Sequence, residues 1–334
     1  MQKDSDLPEE GQGDKTIVVG VDGSAHSRLA LKWAADEAKR CGSLLRVLHA
    51  RIGTPNDVPP WYEPGASDLS PAEAIVDDAV GLVATRHPSV LVQGEIVECP
   101  VSQALIVASR SADLLVVGAR GLGGFEELLL GSVSDQCIEY AHCPVAIIHP
   151  DTDEPPLLAV EPQIVVGIDG SLGSSRALRW AVHEAQIRSA SVKAVYAWQY
   201  PPVGAFVMGP AKGFEVVAHE IVDATTEHAR RLAPEVTFTA VASFGAAVPT
   251  LLAECHGADL LVVGSKGHGG FRAALLGSTA QQCARHATCA VIVARPHLSE
   301  EPSRDGKRSV RTEAPMSRTD RSLAPDAAGS KSST

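Results

Sequence analysis

The chain has 334 residues, 45% of them hydrophobic and 21% charged, the composition of a soluble chain of about two domains at roughly 150 residues each. Forty acidic against 29 basic residues leave a net charge of -11, whose field disfavours nucleic acid and anionic membrane as partners. No apolar run reaches the roughly 18 residues of a membrane span, the start MQKDSDLPEEGQGDK has no signal-peptide core, and seven cysteines without a CxxC pair make no secreted disulfide framework, so the expected location is the cytoplasm.

Residues 1–14 are polar and expected to be disordered. The β-branched run at 16–21 predicts a strand buried on both faces. Ser24 is placed to cap a helix whose Leu29, Trp33, Ala34 and Ala38 share a face before Gly42 stops it. A strand at 44–50, a proline- and glycine-rich loop at 51–70, a helix at 71–87 and a strand at 90–97 follow. A short helix at 102–111 leads into a strand of nearly pure Leu and Val at 113–118. After a glycine-rich stretch comes a helix at 132–141, with Val133, Cys137 and Tyr140 on one side, and a strand at 145–149.

Then the series starts again. TIVVGVDGS (16–24) returns as QIVVGIDGS (163–171), and ADLLVVGARGLGGF (112–125) as ADLLVVGSKGHGGF (258–271). Asp22 and Asp169 are 147 residues apart, Gly118 and Gly264 are 146. Two copies of one complete domain follow from so constant an offset. They are expected at 15–150 and 163–296, joined by an acidic, proline-rich linker at 151–162. Alternating strands and helices predict an α/β class: two tandem copies of a five-stranded parallel, doubly wound sheet with helices on both faces. Residues 297–334 are polar with few large apolar groups and are expected to form a disordered tail.

In such a sheet ligands bind beyond the carboxyl ends of the strands, where strand order reverses. Two motifs fall there: Gly20-Val-Asp22-Gly23-Ser24, and Gly118-Ala-Arg120-Gly121-Leu-Gly123-Gly124 followed by Gly131-Ser132-Val133-Ser134. Glycines admit close backbone approach to an anion, and free N–H groups at a helix start favour phosphate oxygens. Arg120 adds charge, and the hydroxyls of Ser132 and Ser134 add donors. Asp22 is suited to accept from ribose hydroxyls or to hold a cation. The second copy offers Gly167, Asp169, Gly264, Lys266, Gly267, Gly269, Gly270, Gly277, Ser278 and Thr279. The signal is not a P-loop, since GxxxxGK[ST] is missing, and the opening GxGxxG register of a dinucleotide site is missing too.

The spacing Gly118-x2-Gly121-x9-Gly131-Ser132, repeated as Gly264-x2-Gly267-x9-Gly277-Ser278, resembles the signature of ATP-binding universal stress proteins. With Asp22 and Asp169 in VDGS-type contexts, nearly the whole chain is similar to the tandem members of that family. The resemblance implies ATP, often with Mg²⁺ or Mn²⁺, with Asp22 and Asp169 on ribose or metal and the signature glycines and serines on phosphates and ribose. The backbone at Ala50 and Ala197 would border the adenine. It also implies pairing through the fifth strand, either between the two copies or between chains as a homodimer. Ala280 stands where the first copy has Ser134, so the second copy lacks one hydroxyl donor.

The remaining polar groups read more plainly. Cys137, Cys143, Cys283 and Cys289 are expected to pack as small hydrophobes, Asp77 and Asp78 to be solvated on a helix, and the pairs Trp61-Tyr62 and Trp198/Tyr200 to cover the sheet edge. The first-copy histidines have no histidine counterparts, which argues against a shared metal site. No Ser/His/Asp set has a distinctive spacing, and HExxH is missing. The expected function is a regulatory or sensor protein with one nucleotide per domain and an unidentified protein partner, not an enzyme. The alternatives are a slow ATPase or nucleotidyl-transfer enzyme on the same fold, and a scaffold with relic sites.

Overall fold

A computed structural model describes residues 15–51, 70–122, 129–150, 161–200, 212–267 and 275–296. Both predicted disordered ends, most of the linker, the loop pair Trp61-Tyr62, and the site residues Gly123, Gly124, Gly269 and Gly270 lie outside them. The first copy runs β1 (Thr16–Gly20), α1 (Ala25–Cys41), β2 (Leu44–Arg51), α2 (Pro71–Arg86), β3 (Val92–Glu98), α3 (Val101–Ala108), β4 (Leu114–Gly118), α4 (Ser132–Tyr140) and β5 (Val145–Ile148). The second runs β6 (Gln163–Ile168), α5 (Leu172–Arg188), β7 (Ser191–Trp198), α6 (Lys212–Leu232), β8 (Phe238–Phe244), α7 (Ala247–Glu254), β9 (Leu260–Gly264), α8 (Ser278–His286) and β10 (Ala290–Ala294).

Local chemistry accounts for the boundaries. Ser24 Oγ accepts the N–H of Ser27 at the start of α1, and Ser171 does the same for Ser174 in α5. Ser70 and Glu73 close a capping box on α2 with Pro71 in the first turn. The expected helix at 102–111 is an α-helix to Ala108 followed by a 3-10 turn, Ser109–Ser111.

All pairings within a copy are parallel, in the order β3-β2-β1-β4-β5 and its counterpart β8-β7-β6-β9-β10. The order reverses between β1 and β4, and between β6 and β9, which opens a crevice at the carboxyl ends of those strands. The two sheets do not stand apart. β5 and β10 pair antiparallel, with Ile147 opposite Val291, Ala146 opposite Ile292 and Val145 opposite Val293, so the chain builds one ten-stranded sheet. Both fifth strands are used in this seam, leaving β3 and β8 as the edges.

Apolar residues of β1, β4, β5 and their counterparts are buried on both faces. One core packs them against α1, α2, α5 and α6, the other against α3, α4, α7 and α8. The expected face of α4 is shifted: Ser134, Cys137 and Ile138 are inside, while Tyr140 is 45% exposed. On α1 the buried stripe is Ala30, Leu31, Ala34, Ala35 and Ala38, with Leu29 and Trp33 at its margin. Small alanines let this helix lie close to the sheet. The four repeat cysteines are buried, and desolvation pushes the thiols of Cys137, Cys143 and Cys283 up to about 12. Asp77 and Asp78 are exposed on α2. Trp198 and Tyr200 pack with Phe244 beside the edge strand β8, with ring centroids 5.0–5.6 Å apart. Among the described residues no helix is long and apolar enough to cross a membrane.

Candidate functional site

Asp22 leaves the end of β1 and ties two loops together. One carboxylate oxygen accepts the N–H of Ser24 at 2.9 Å, the other the N–H of Leu122 in the glycine-rich loop at 2.9 Å. Its own N–H donates to Ser27 Oγ at 3.3 Å. Burial alone would raise this carboxyl, but the hydrogen bonds from Ser24, Leu122 and Ser27 outweigh it and hold the group below its ordinary value. Asp22 is therefore ionised at neutral pH.

Two glycines owe their identity to close approach. A Cβ on Gly118 would come within 2.8 Å of the His26 carbonyl oxygen, because the end of β4 touches the start of α1. A Cβ on Gly121 would come within 2.5 Å of Asp22 Oδ2. The second copy repeats both approaches, Gly264 against Gly173 and Gly267 against Asp169, whose Oδ1 accepts the Ser171 N–H at 2.9 Å. Past the loop, the Gly131 N–H donates to the Ala119 carbonyl at 2.7 Å, and the Gly277 N–H to Ser265 at 2.7 Å, turning the chain into α4 and α8. Neither helix has a side-chain cap. Its first amides, from Ser132 and Val133 or Ser278 and Thr279, therefore keep their donor capacity and the positive end of the helix dipole.

In the second copy Gly167, Asp169, Ala197, Gly264, Lys266, Gly267, Gly277, Ser278 and Thr279 line one cavity of about 230 Å³. Every described site residue expected in that copy meets there, Ala197 at the end of β7 included. The opposing wall is apolar, formed by Val195, Ala247, Leu251, Val263 and Ala280. In the first copy Gly20 closes β1 against Leu105, Ala50 is buried near the end of β2, and Arg120 follows β4. Ser134 is committed elsewhere: its hydroxyl donates to the Gly118 carbonyl at 2.7 Å and is buried. The serine that Ala280 replaces thus ties α4 to β4, and the lost group in the second copy is that tie. A cavity of about 280 Å³ on the other face of the first copy, between α1 and α2, contains the Arg28–Asp78 pair and, from the expected motifs, Val21 and Gly23 but neither Asp22 nor the glycine-rich loop.

Two residues escaped the sequence reading. Ser27 braces the Asp22 loop, and its repeat as Ser174, three residues after each cap, was the available signal. His26 lies beside the site, its ring held below the ordinary histidine value by burial and by the charge of Arg120, against the pull of Asp22. Its counterpart is Gly173, so no repeat points to it.

The universal stress protein family matches residues 14–149 and 162–295. Universal stress protein Rv2623 of Mycobacterium tuberculosis is 32% identical over 298 residues, which cover 86% of this chain and 99% of that protein. Universal stress protein Rv2005c of the same organism is 35% identical over 84% of this chain and 96% of its own length. A crystal structure of a universal stress protein from Archaeoglobus fulgidus shares the fold, with a TM-score of 0.56 at 19% identity, covering 85% of this chain and 97% of that one. With two copies of the domain fused along their fifth strands, the chain belongs to the universal stress protein family as one of its tandem members.

Proposed function

We propose that each copy binds one ATP with Mg²⁺ or Mn²⁺, and that occupancy of the two sites is read by a protein partner, making the chain a cytoplasmic sensor rather than an enzyme. One observation carries the reading. In the second copy an acid, a lysine, four glycines and an uncapped helix start converge on a single cavity with an apolar wall. Each part suits a piece of a nucleotide. The free amides of Ser278 and Thr279 and the Lys266 ammonium suit phosphate oxygens. The Asp169 carboxylate suits ribose hydroxyls or a hard cation. The Val195–Ala197 backbone and the wall of Leu251 and Val263 suit a flat base.

In the first copy Asp22, Arg120, Gly118, Gly121, Gly131 and Ser132 play the corresponding parts. Asp22 already links the β1 loop to the glycine loop. A cation or ribose competing for its second oxygen would free the Leu122 amide, and loop position would then report occupancy. Family membership supports a regulatory role.

The test is to purify the full chain without added nucleotide, denature it, and identify and count what is released. About two ATP per chain is the expected result. Mostly ADP would replace the sensor with a slow ATPase. A protein that is empty and does not take up added ATP with Mg²⁺ would overturn nucleotide binding altogether.

A further inference from the structure

The last turns of α1 and α5 meet beside the β5–β10 seam, and each brings a glutamate inside: Glu37 is 1% and Glu184 2% exposed. They are equivalents, 147 residues apart, so the pairing of the two copies sets them against each other. One guanidinium serves both. Arg188 donates from Nε to Glu184 at 2.9 Å and from a terminal nitrogen to Glu37, with its head 5.4 Å from the ring centre of Trp33. Its counterpart in the first copy is Cys41, whose thiol donates to Glu37 Oε1 at 3.3 Å. Two buried carboxylates thus share one buried arginine where full symmetry would supply two.

The other charged groups around the cluster are more exposed or reach only one of the two carboxylates. Arg40 reaches Glu37 at 2.9 Å from a position 36% exposed. His183 Nδ1 is 3.8 Å from Glu184, and Lys15 Nζ lies 3.3 Å from the other nitrogen of that ring. Asp259 adds a negative charge near Arg188.

We propose that this cluster is a proton-operated clasp between the two copies: one proton shared by Glu37 and Glu184 holds the seam closed, and its loss sets two carboxylates against each other and loosens it. Neighbouring buried carboxyl groups resist double ionisation. Burial, reinforced by the charge of Glu184, raises the Glu37 carboxyl to about 7. Burial also acts to raise Glu184, but the neighbouring His183 ring and the attraction and hydrogen bond of Arg188 hold it below its ordinary value. Glu37 therefore carries the proton and Glu184 the charge. Because the folded value of Glu37 lies above its unfolded one, the stabilisation is full below the unfolded value and is lost as pH rises through about 7. Linkage caps the loss at roughly a few hundred-fold in the folding equilibrium.

The experiment is a carbon-13 NMR titration of the full chain, labelled at the glutamate carboxyl carbons, from about pH 5 to 8.5. It is combined with amide hydrogen exchange in the last turns of α1 and α5, corrected for intrinsic rates. One carboxyl should titrate between about pH 6 and 8 and be missing in Glu37→Gln. Seam exchange should rise at least about tenfold over that range in the wild type and stay flat in the variant. Arg40→Ala, at the exposed mouth, keeps the fold and should move the midpoint upward, which holds the test open if Glu37→Gln fails to fold. Absence of any glutamate titrating above about pH 6, a midpoint that ignores Arg40, or seam exchange with the same pH profile in Glu37→Gln would each overturn the clasp.

Discussion

Asp22 receives one backbone N–H on each carboxylate oxygen, and the second of these contacts leaves no room for a side chain at Gly121. Gly121→Ala should therefore displace the carboxylate from Leu122, costing about 1–3 kcal/mol in urea unfolding and more than halving nucleotide retention at the first site. Gly81→Ala is the contrast: the added methyl meets nothing within 4 Å on helix α2, so it should stabilise by about 0.5–1 kcal/mol. Equal effects of the two would mean that the close approach at Gly121 does not matter. The aspartates and glycines were legible because they recur at constant spacing in both copies. His26 was not, since its counterpart is a glycine. The Ser134 tie was hidden too, because a hydroxyl aimed at a main-chain carbonyl 16 residues back, at the end of the preceding strand, leaves no mark on local pattern.

Helix starts divide into two kinds here. α1 and α5 are closed by serine hydroxyls, whereas α4 and α8 begin at glycines with no side-chain cap. The second kind faces the crevice, which leaves stabilisation of the free helix unused. Gly277→Asp should recover it: a Cβ there meets its nearest atom at 3.4 Å, an ordinary contact, and the carboxylate can cap α8. The expected gain is a few tenths of a kcal/mol in the nucleotide-free chain. The same negative charge would repel phosphate, so released ATP should fall from about two to about one per chain. An unchanged count would remove α8 from the site. Element types and most ends were readable because caps and apolar periodicity are local. On α4 Cys137 is inside as expected, but Tyr140, on the same helical stripe, is 45% exposed.

At the scale of the molecule the seam decides the architecture. β5 and β10 are buried along their whole length, and neither carries a charge to blunt an exposed edge. Residues 1–150 produced alone would keep β5 paired to β4 but leave its seam edge, VAII, unpaired. They are expected to dimerise or aggregate at micromolar concentration in analytical ultracentrifugation, while the full chain does not associate through this strand. A monomeric half would show that the seam adds little. Chains that do dimerise must use other surfaces, since both fifth strands are already satisfied within one chain.

The repeat, the α/β class, the parallel order of strands and the glycine signature with its aspartate belong to the sequence itself. Each is written in local chemistry: β-branched runs, capping serines, a constant offset. Folding decided which of two pairings the fifth strands adopt, because an apolar strand is equally suited to its own copy's partner or to another chain's, and tethering within one chain favours the first. Folding also decided that Glu37 goes inside. On the helix it reads as one more charged residue near the end of α1. Only the approach of α5 brings it against Glu184 and gives both glutamates one buried arginine to share.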